Sequence, residues 1–242
     1  MDIMNNAWYN TFNQNVAAAA TYLSVTADIL HIKPARRRIV MNGIDLTFSE
    51  EKKKLPVGIS RFLGNPDVWD GFVWPCYSES GEDYDLTFMC QINCAEAAPF
   101  DVAGVLPKTG MLYFFYDMDN MPQETFDTNT ASVIHYGGEV SALFEMLRCD
   151  HDGNDMSLPE MKIHFNADRV AGGQLRARLG ETLPHGWQPF FQIYSFETDR
   201  VSIRFSQKKA LIYFVDKPKL QRGDFSDVHI RQTHPGGQNE IF

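Results

Sequence analysis

The pattern of apolar and polar positions predicts one helix at the start of the chain, followed by many strands. Between residues 8 and 31, apolar side chains recur at helical spacing around four consecutive alanines, which predicts an amphipathic helix. Pro34 ends this pattern. Residues 35–48 then predict two strands that turn at Asn42-Gly43, a dipeptide typical of tight hairpins.

Aromatic-rich apolar runs predict strands in both halves of the remaining chain. The first half contains "DLTFMCQINCAE" (85–96) and "MLYFFYD" (111–117), and the second contains "WQPFFQIYSF" (187–196) and "ALIYFVD" (210–216). Turn-forming residues separate the two runs of each half. These runs and the N-terminal helix predict an α+β fold made mostly of antiparallel strands.

The two halves also resemble each other. Gln91 and Gln192 each interrupt an apolar run just before an isoleucine, and Tyr113-Phe114 matches Tyr213-Phe214 in the same order. The Gln-to-Tyr separation is 22 residues in the first copy and 21 in the second. We therefore predict two intertwined structural repeats, at about 33–145 and 160–242, within a single domain of residues 1–242.

A glutamine inside an apolar strand needs hydrogen-bond partners, because an unpaired buried amide costs about 1–3 kcal/mol. Gln91 and Gln192 are therefore either satisfied structural amides kept in both repeats or the lining of a ligand cleft between the repeats. The structural interpretation is favoured.

Charge and cysteine content narrow the function classes. The 242-residue chain carries a formal net charge of −9, which argues against general affinity for nucleic acid or anionic membranes. We expect its four cysteines to be buried, reduced thiols, because they are too sparse for a disulfide scaffold. No apolar run is long enough for a membrane span, and no positively charged signal region precedes an apolar one. We expect a cytoplasmic protein.

One acidic stretch partly matches a calcium-binding loop. In "RCDHDGNDMSLPEM" (148–161), Asp150, Asp152 and Asn154 take the first ligand positions of an EF-hand. Asp155 then replaces the required glycine, and Met161 replaces the bidentate glutamate. A weak hard-cation site of Asp150, Asp152 and Glu160 remains open, but a solvated turn-rich loop fits this composition better.

Motifs for catalysis are absent from the sequence, whereas one loop is rich in aromatic residues. The chain contains no H-E-x-x-H, G-x-S-x-G or P-loop motif, so we predict no catalytic residue and no cofactor. The loop "GNPDVWDGFVWP" (64–75) either fills a gap between sheets or forms a recognition surface. In the second case Arg61, Trp69 and Trp74 would contact the partner.

Five segments in order resemble the YwqG-like bacterial family: "KPARRRIV", "SRFLGNPDVWDGFVWP", "LTFMCQIN", "LPKTGMLYFFYD" and "ALIYFVDKPKLQRGDFSDVHI". The resemblance covers at least residues 33–117 and 188–230. Family members usually carry Gly-Gly where this chain has Leu63-Gly64. The resemblance implies a duplicated antiparallel fold with no established activity. Genes of the family often lie beside genes of secreted toxins, which implies an immunity or accessory role.

Together these observations favour a non-enzymatic protein that binds another protein, such as a toxin or effector. The alternative is a small-molecule-binding or weakly catalytic domain with a polar cleft between the repeats, lined by Gln91 and Gln192. Exposed tryptophans in the aromatic loop would favour the first interpretation. A closed pocket with convergent polar groups would favour the second.

Overall fold

A computed structural model of the protein describes residues 39–41, 44–101, 104–122, 124–125, 130–149, 152–167, 186–205 and 210–233. The chain divides into two compact units, residues 1–36 and residues 37–242, and all the described residues belong to the second unit. The helix predicted at 8–31 and the turn predicted at Asn42-Gly43 lie outside the described residues. The prediction of a single domain of residues 1–242 stays a prediction.

Strands are the main secondary structure of the described chain. In chain order they are β1 (Ile39–Met41), β2 (Ile44–Glu50), β3 (Arg61–Phe62), β4 (Asp67–Val68), β5 (Cys76–Glu79), β6 (Glu82–Asp85), β7 (Thr87–Asn93), β8 (Met111–Tyr116), β9 (Glu124–Thr125), β10 (Ala131–Tyr136), β11 (Phe144–Glu145), β12 (Met161–Ala167), β13 (Trp187–Tyr194), β14 (Phe196–Glu197), β15 (Ser202–Ile203), β16 (Ala210–Asp216) and β17 (Val228–Thr233). The four strand-forming runs named above correspond to β7, β8, β13 and β16, which confirms those predictions.

The helices in the described ranges are single turns. They are α1 (Cys94–Ala97) and α2 (Lys217–Leu220), with 3-10 turns at Ala98–Phe100 and Val140–Ala142. Asn93 caps α1 by accepting a hydrogen bond from the N–H of Ala95, and Asp216 caps α2 in the same way. None of the helices in these ranges is long and apolar enough to cross a membrane.

Within the described residues, eleven strands form one antiparallel sheet, in the order β10-β8-β7-β3-β12-β2-β1-β13-β16-β17-β9. The pairs β4/β11, β5/β6 and β14/β15 lie outside this sheet. The described part of the chain thus confirms the prediction of a mostly antiparallel β fold.

The sheet curls so that its two halves share a core. The ring of Phe114 on β8 stacks on Phe191 of β13, with 4.1 Å between centroids. The hydroxyl of Tyr213 on β16 donates to the carbonyl of Phe115 on β8 at 3.1 Å. A second core lies on the other face of β7 and β8, where Tyr113 and Phe115 are covered by the aromatic loop. The first core holds the strands together, and the second fixes the loop.

The register of the strands corrects one detail of the predicted repeat. Gln91 lies opposite Tyr113, whereas Gln192 lies opposite Ile212 and Phe191 lies opposite Tyr213. Residues directly opposite each other share a face of the sheet, and neighbours along a strand alternate faces. The match of Tyr113 with Tyr213 is therefore wrong by one residue. The chain order β7-β8-β10 does recur as β13-β16-β17, each running outward from the centre of the sheet. The duplication itself stays a prediction.

Leu63 and Gly64 both adopt left-handed backbone conformations, with φ of 58° and 79°. A Cβ at Gly64 would lie 2.6 Å from the Cβ of Glu160, so this position requires glycine. Leu63 bears strain of about 1–2 kcal/mol at such a φ. Its side chain is fully buried in the first core, which offsets that strain by a similar amount.

Candidate functional site: a groove along an open strand edge

Arg61 is fully buried at the centre of an ionic cluster. Its Nη2 donates to the carboxylate of Asp67 at 2.7 Å and to the carbonyl of Pro56 at 2.9 Å. Its Nη1 donates to Glu160 at 3.0 Å and to the carbonyl of Asn65 at 3.3 Å. Two carboxylates and two carbonyls thus surround one guanidinium, and Arg61 is not available to an external partner.

Gln91 completes this cluster. Its Oε1 accepts from the backbone N–H of Asp67 at 2.7 Å, and its Nε2 donates to the carbonyl of Ile59 at 2.8 Å and to Asp67 Oδ2 at 2.6 Å. The hydroxyl of Tyr113, opposite Gln91, donates to the Asp67 carbonyl at 2.5 Å. All hydrogen-bonding groups of the Gln91 amide are used to fasten the segment 59–67 to β7.

The structure does not bring Gln91 and Gln192 together. Strands β3, β12, β2 and β1 separate their strands in the sheet. Gln192 is 4% exposed, and its Oε1 has no hydrogen-bond partner within the described ranges. A cleft lined by both glutamines therefore has no support among the described residues and stays a prediction.

The two tryptophans of the aromatic loop are half-buried and pack inward. Trp69 stacks on Tyr136 of β10, with 4.7 Å between centroids. Trp74 packs edge-on against Phe115 at 5.4 Å, and its Nε1 donates to the carbonyl of Leu86 at 2.8 Å. Both rings cover the second core, so their contacts match the gap-filling interpretation of the loop.

Of the predicted cation ligands, Glu160 is engaged in the Arg61 cluster. Asp150 lies outside the described residues, and Asp152 is exposed. Glu160 accepts from Arg61 and, through Oε1, from the N–H of Leu55 at 2.8 Å. Asp155 accepts from the N–H of Ser157 at 2.8 Å, and this bond is the main cause of its lowered pKa. Within the described ranges, no three His, Cys, Asp or Glu side chains are placed to hold a metal ion.

The cysteines divide into two classes. Cys90 and Cys94 are buried, and burial raises the pKa of both thiols, that of Cys94 to about 12. Cys76 and Cys149 are exposed, so the expectation of buried thiols is wrong for these two. Cys76 begins β5 at the base of a surface hairpin, and Cys149 lies in the loop that follows β11.

A groove of about 490 Å³ runs along β10, where sequence reasoning placed no site. One side is β10 itself, and the segment 223–228 forms a second wall. Pro75, Cys76 and Leu86 contribute the remaining lining. His135 of β10 and Phe225 of the second wall make a ring contact across 6.1 Å. The groove volume falls within the usual range of ligand sites.

β10 lies at the end of the large sheet and pairs, among the described residues, with β8 alone. The carbonyl of Thr130 accepts from the N–H of Asp117, and the carbonyl of Tyr136 lies against Gly110, beside β8. Even-numbered residues of β10 therefore direct their backbone groups to β8. The N–H and C=O groups of Ala131, Val133 and His135 point to the open side, along the groove.

The side chains of this edge carry few of the usual protections against strand pairing, and β17 approaches β10 along part of it. Exposed edges are normally short, charged, bulged or interrupted by proline. β10 has six residues, "ASVIHY", without a charged residue, a proline or a register shift. At the opposite end of the sheet, by contrast, β9 has only two residues. The run "SVIHY" predicts a strand from its composition, but only the topology reveals that it forms an edge.

The comparisons with known proteins assign no activity to the chain. The family described as DUF1963, a domain of unknown function, matches residues 60–170. The matched part runs from just before β3 to just beyond β12, and so includes the Arg61 cluster and β10. No curated protein matches the chain. The YwqG-like name and a bacterial origin stay predictions, while this part of the chain is similar to an uncharacterised family.

Proposed function

We propose that this protein is a non-enzymatic binding module that captures an extended segment of another protein along the edge of β10. The observation that carries the proposal is the six-residue edge, which has no charged residue and no proline, beside a groove of about 490 Å³. An extended segment placed there gains main-chain hydrogen bonds from the edge and side-chain contacts in the groove. In this proposal the aromatic loop (64–75) supports the site, because Trp69 stacks on Tyr136 of β10.

The biological setting belongs to the same proposal. A cytoplasmic protein of the YwqG-like family, built from two repeats, would act here as an immunity or accessory protein whose partner is a toxin or effector. Strand addition suits this role because it needs no catalytic residue and no cofactor. The partner would supply only one extended segment with a free edge.

Site-specific photo-crosslinking tests the proposal directly. A benzoylphenylalanine would replace Ser132, which lines the groove, and a second one would replace the exposed Lys162 on β12 as a control. After irradiation in the producing cells, we expect one protein to crosslink from position 132 and not from position 162. Its peptide in the crosslink, identified by mass spectrometry, should form a strand when bound.

Two variants of His135 provide the matched control. His135→Pro removes an N–H that points to the groove at a position where an edge strand tolerates proline, while His135→Ala keeps the N–H. We expect the crosslink from position 132 to disappear with His135→Pro and to persist with His135→Ala. A crosslink that is equally strong in both variants, or that arises equally from position 162, would contradict strand addition.

A small-molecule site is the second candidate, favoured by one observation. The groove volume of about 490 Å³ falls within the usual range of ligand pockets, roughly 300–1,000 Å³. A small ligand would not need the outward N–H groups of β10. Native mass spectrometry of the purified protein would then show the same added mass for the unaltered chain and for His135→Pro.

A further inference from the structure

We infer that the groove along β10 selects a basic extended segment, rich in Lys or Arg beyond the Ala131 end of the strand. This inference rests on the proposed function and adds the chemistry of the partner. It is carried by the charge of the hairpin that stands at that end of the groove.

The hairpin of β5 and β6 is strongly acidic. Its residues, "CYSESGEDYD" (76–85), include Glu79, Glu82, Asp83 and Asp85 and contain no Lys or Arg. All four carboxylates are exposed. Asp85 pairs with Arg148 at 3.3 Å, whereas none of the other three has a Lys or Arg within 4 Å among the described residues. Three carboxylates are therefore open to a cationic partner.

The hairpin lies at a defined end of the groove. Pro75 and Cys76 at its start and Leu86 at its end line the groove. Thr87, the next residue, pairs with Tyr116, which pairs with Ala131. The hairpin base is therefore near the Ala131 end of β10, while His135 and Phe225 mark the other end. An added strand that runs past Ala131 would approach this hairpin.

The second wall, residues 223–228, contains two acidic residues and no Lys or Arg. The segment 217–222 before it contains three basic residues. Lys219 is held by an ion pair with Asp227 and by a hydrogen bond to Ser226 at 3.1 Å. Asp224, the only charged residue of this wall that lines the groove, adds a carboxylate to the lining. The excess negative charge therefore comes from the hairpin, whose base lies near the Ala131 end of the groove.

The length of the groove sets the size of the segment. The five lining residues Ala131–His135 span about 13 Å of strand at about 3.3 Å per residue. About five residues of the partner would pair with β10, and the residues next to them would reach the hairpin. Attraction by exposed charges at the rim raises the association rate and is weakened by salt.

Fluorescent peptides test the inference. Each peptide would contain the same alternating Thr-Val strand of six residues, flanked on both sides by two Lys, two Ser or two Glu. At about 50 mM salt we expect the Lys peptide to bind at least about tenfold more tightly than the Glu peptide, with the Ser peptide between them. At about 500 mM salt the three affinities should converge.

Two double variants of the protein test which carboxylates cause the preference for the Lys peptide. Glu79→Gln with Glu82→Gln neutralises the hairpin, and Glu51→Gln with Asp199→Asn removes two exposed charges elsewhere. We expect only the hairpin variant to reduce the preference for the Lys peptide, by about threefold or more. Equal binding of the three peptides, or equal effects of the two variants, would overturn the inference while leaving strand addition intact. Failure of every peptide to bind, or binding that His135→Pro does not weaken, would instead refute the proposed function.

Discussion

At the scale of single residues, the Arg61 cluster shows how the chain stabilises a buried charge. Asp67 Oδ2 accepts from Arg61, Gln91 and the N–H of Gly58, the last at 2.8 Å. Such a buried pair contributes little net stability when intact, because desolvation offsets the attraction. Its removal is costly, since the remaining ion has no partner. The cluster therefore acts as a structural lock between the segment 55–67 and β7.

The first prediction concerns this lock. Asp67→Asn keeps the shape of the side chain but leaves the Arg61 charge poorly balanced, so the free energy of unfolding should fall by about 3–5 kcal/mol. Glu160→Gln should cost less, about 1–2 kcal/mol, because that side chain is 21% exposed and retains an acceptor for Arg61. Urea unfolding of both variants measures the difference. Equal, small losses would show that Asp67 is not the main counter-charge.

The sequence identifies Gln91 as a costly polar residue but does not identify its partner. Asp67 is 24 residues away in the chain and becomes a neighbour only because β3 inserts beside β7. The same holds for Arg61, which the sequence suggests as a partner-binding residue and the fold encloses. Side-chain type predicts that a polar group needs partners, whereas long-range pairing decides which ones it finds.

At the scale of elements, the aromatic loop and β10 depend on each other. Trp69 contacts β10 through Tyr136, and Trp74 contacts β8 through Phe115. The loop has little periodicity, so its sequence does not predict which face of the sheet it covers. The strands were predictable from their alternation and aromatic content. The position of β10 at an edge was not, because edges follow from the order of the strands.

The second prediction tests the structural role of Trp74. Trp74→Ala removes a half-buried ring and should lower the free energy of unfolding by about 3 kcal/mol. Trp74→Phe keeps the ring contact with Phe115 but leaves the carbonyl of Leu86 without its donor, at a cost of about 1 kcal/mol. Val73→Ala, at a side chain that is 79% exposed, should change little and serves as the control. A Trp74→Ala variant as stable as Val73→Ala would return Trp74 to the list of surface residues.

At the scale of the whole molecule, a curled sheet encloses its own core. The described residues place Tyr213 of one half against Phe115 of the other, so we expect the two halves to unfold together. The sequence predicts the antiparallel class and the repeated order of strands. It does not predict the curl, since this depends on the twist of eleven strands and on the contacts that close it.

The third prediction follows from buried tyrosines. Burial raises the pKa of Tyr113, Tyr116 and Tyr213 above the usual value of 10.0. A group with a raised pKa in the folded state gives stability that is complete below its unfolded pKa and is lost as the pH rises through the folded pKa. The free energy of unfolding should therefore decline above about pH 10.

Variants of single tyrosines isolate this effect. Tyr116→Phe removes one linked proton, so the decline above pH 10 should become shallower by up to about 1.4 kcal/mol per pH unit. Tyr84→Phe, at an exposed position, should leave the slope unchanged. Urea unfolding between pH 8 and 11 gives the slopes. The same slope for both variants would show that Tyr116 ionises freely in the folded protein.

The most direct test of the central claim is amide hydrogen exchange along β10, resolved by residue with NMR. In the free protein we predict that Ser132, Ile134 and Tyr136 exchange slowly, whereas Val133 and His135 exchange at least about a hundredfold faster. Addition of the Lys peptide should slow Val133 and His135 and leave their neighbours unchanged. Uniform protection of all these amides in the free protein, or no response of Val133 and His135 to the peptide, would contradict an open, strand-accepting edge.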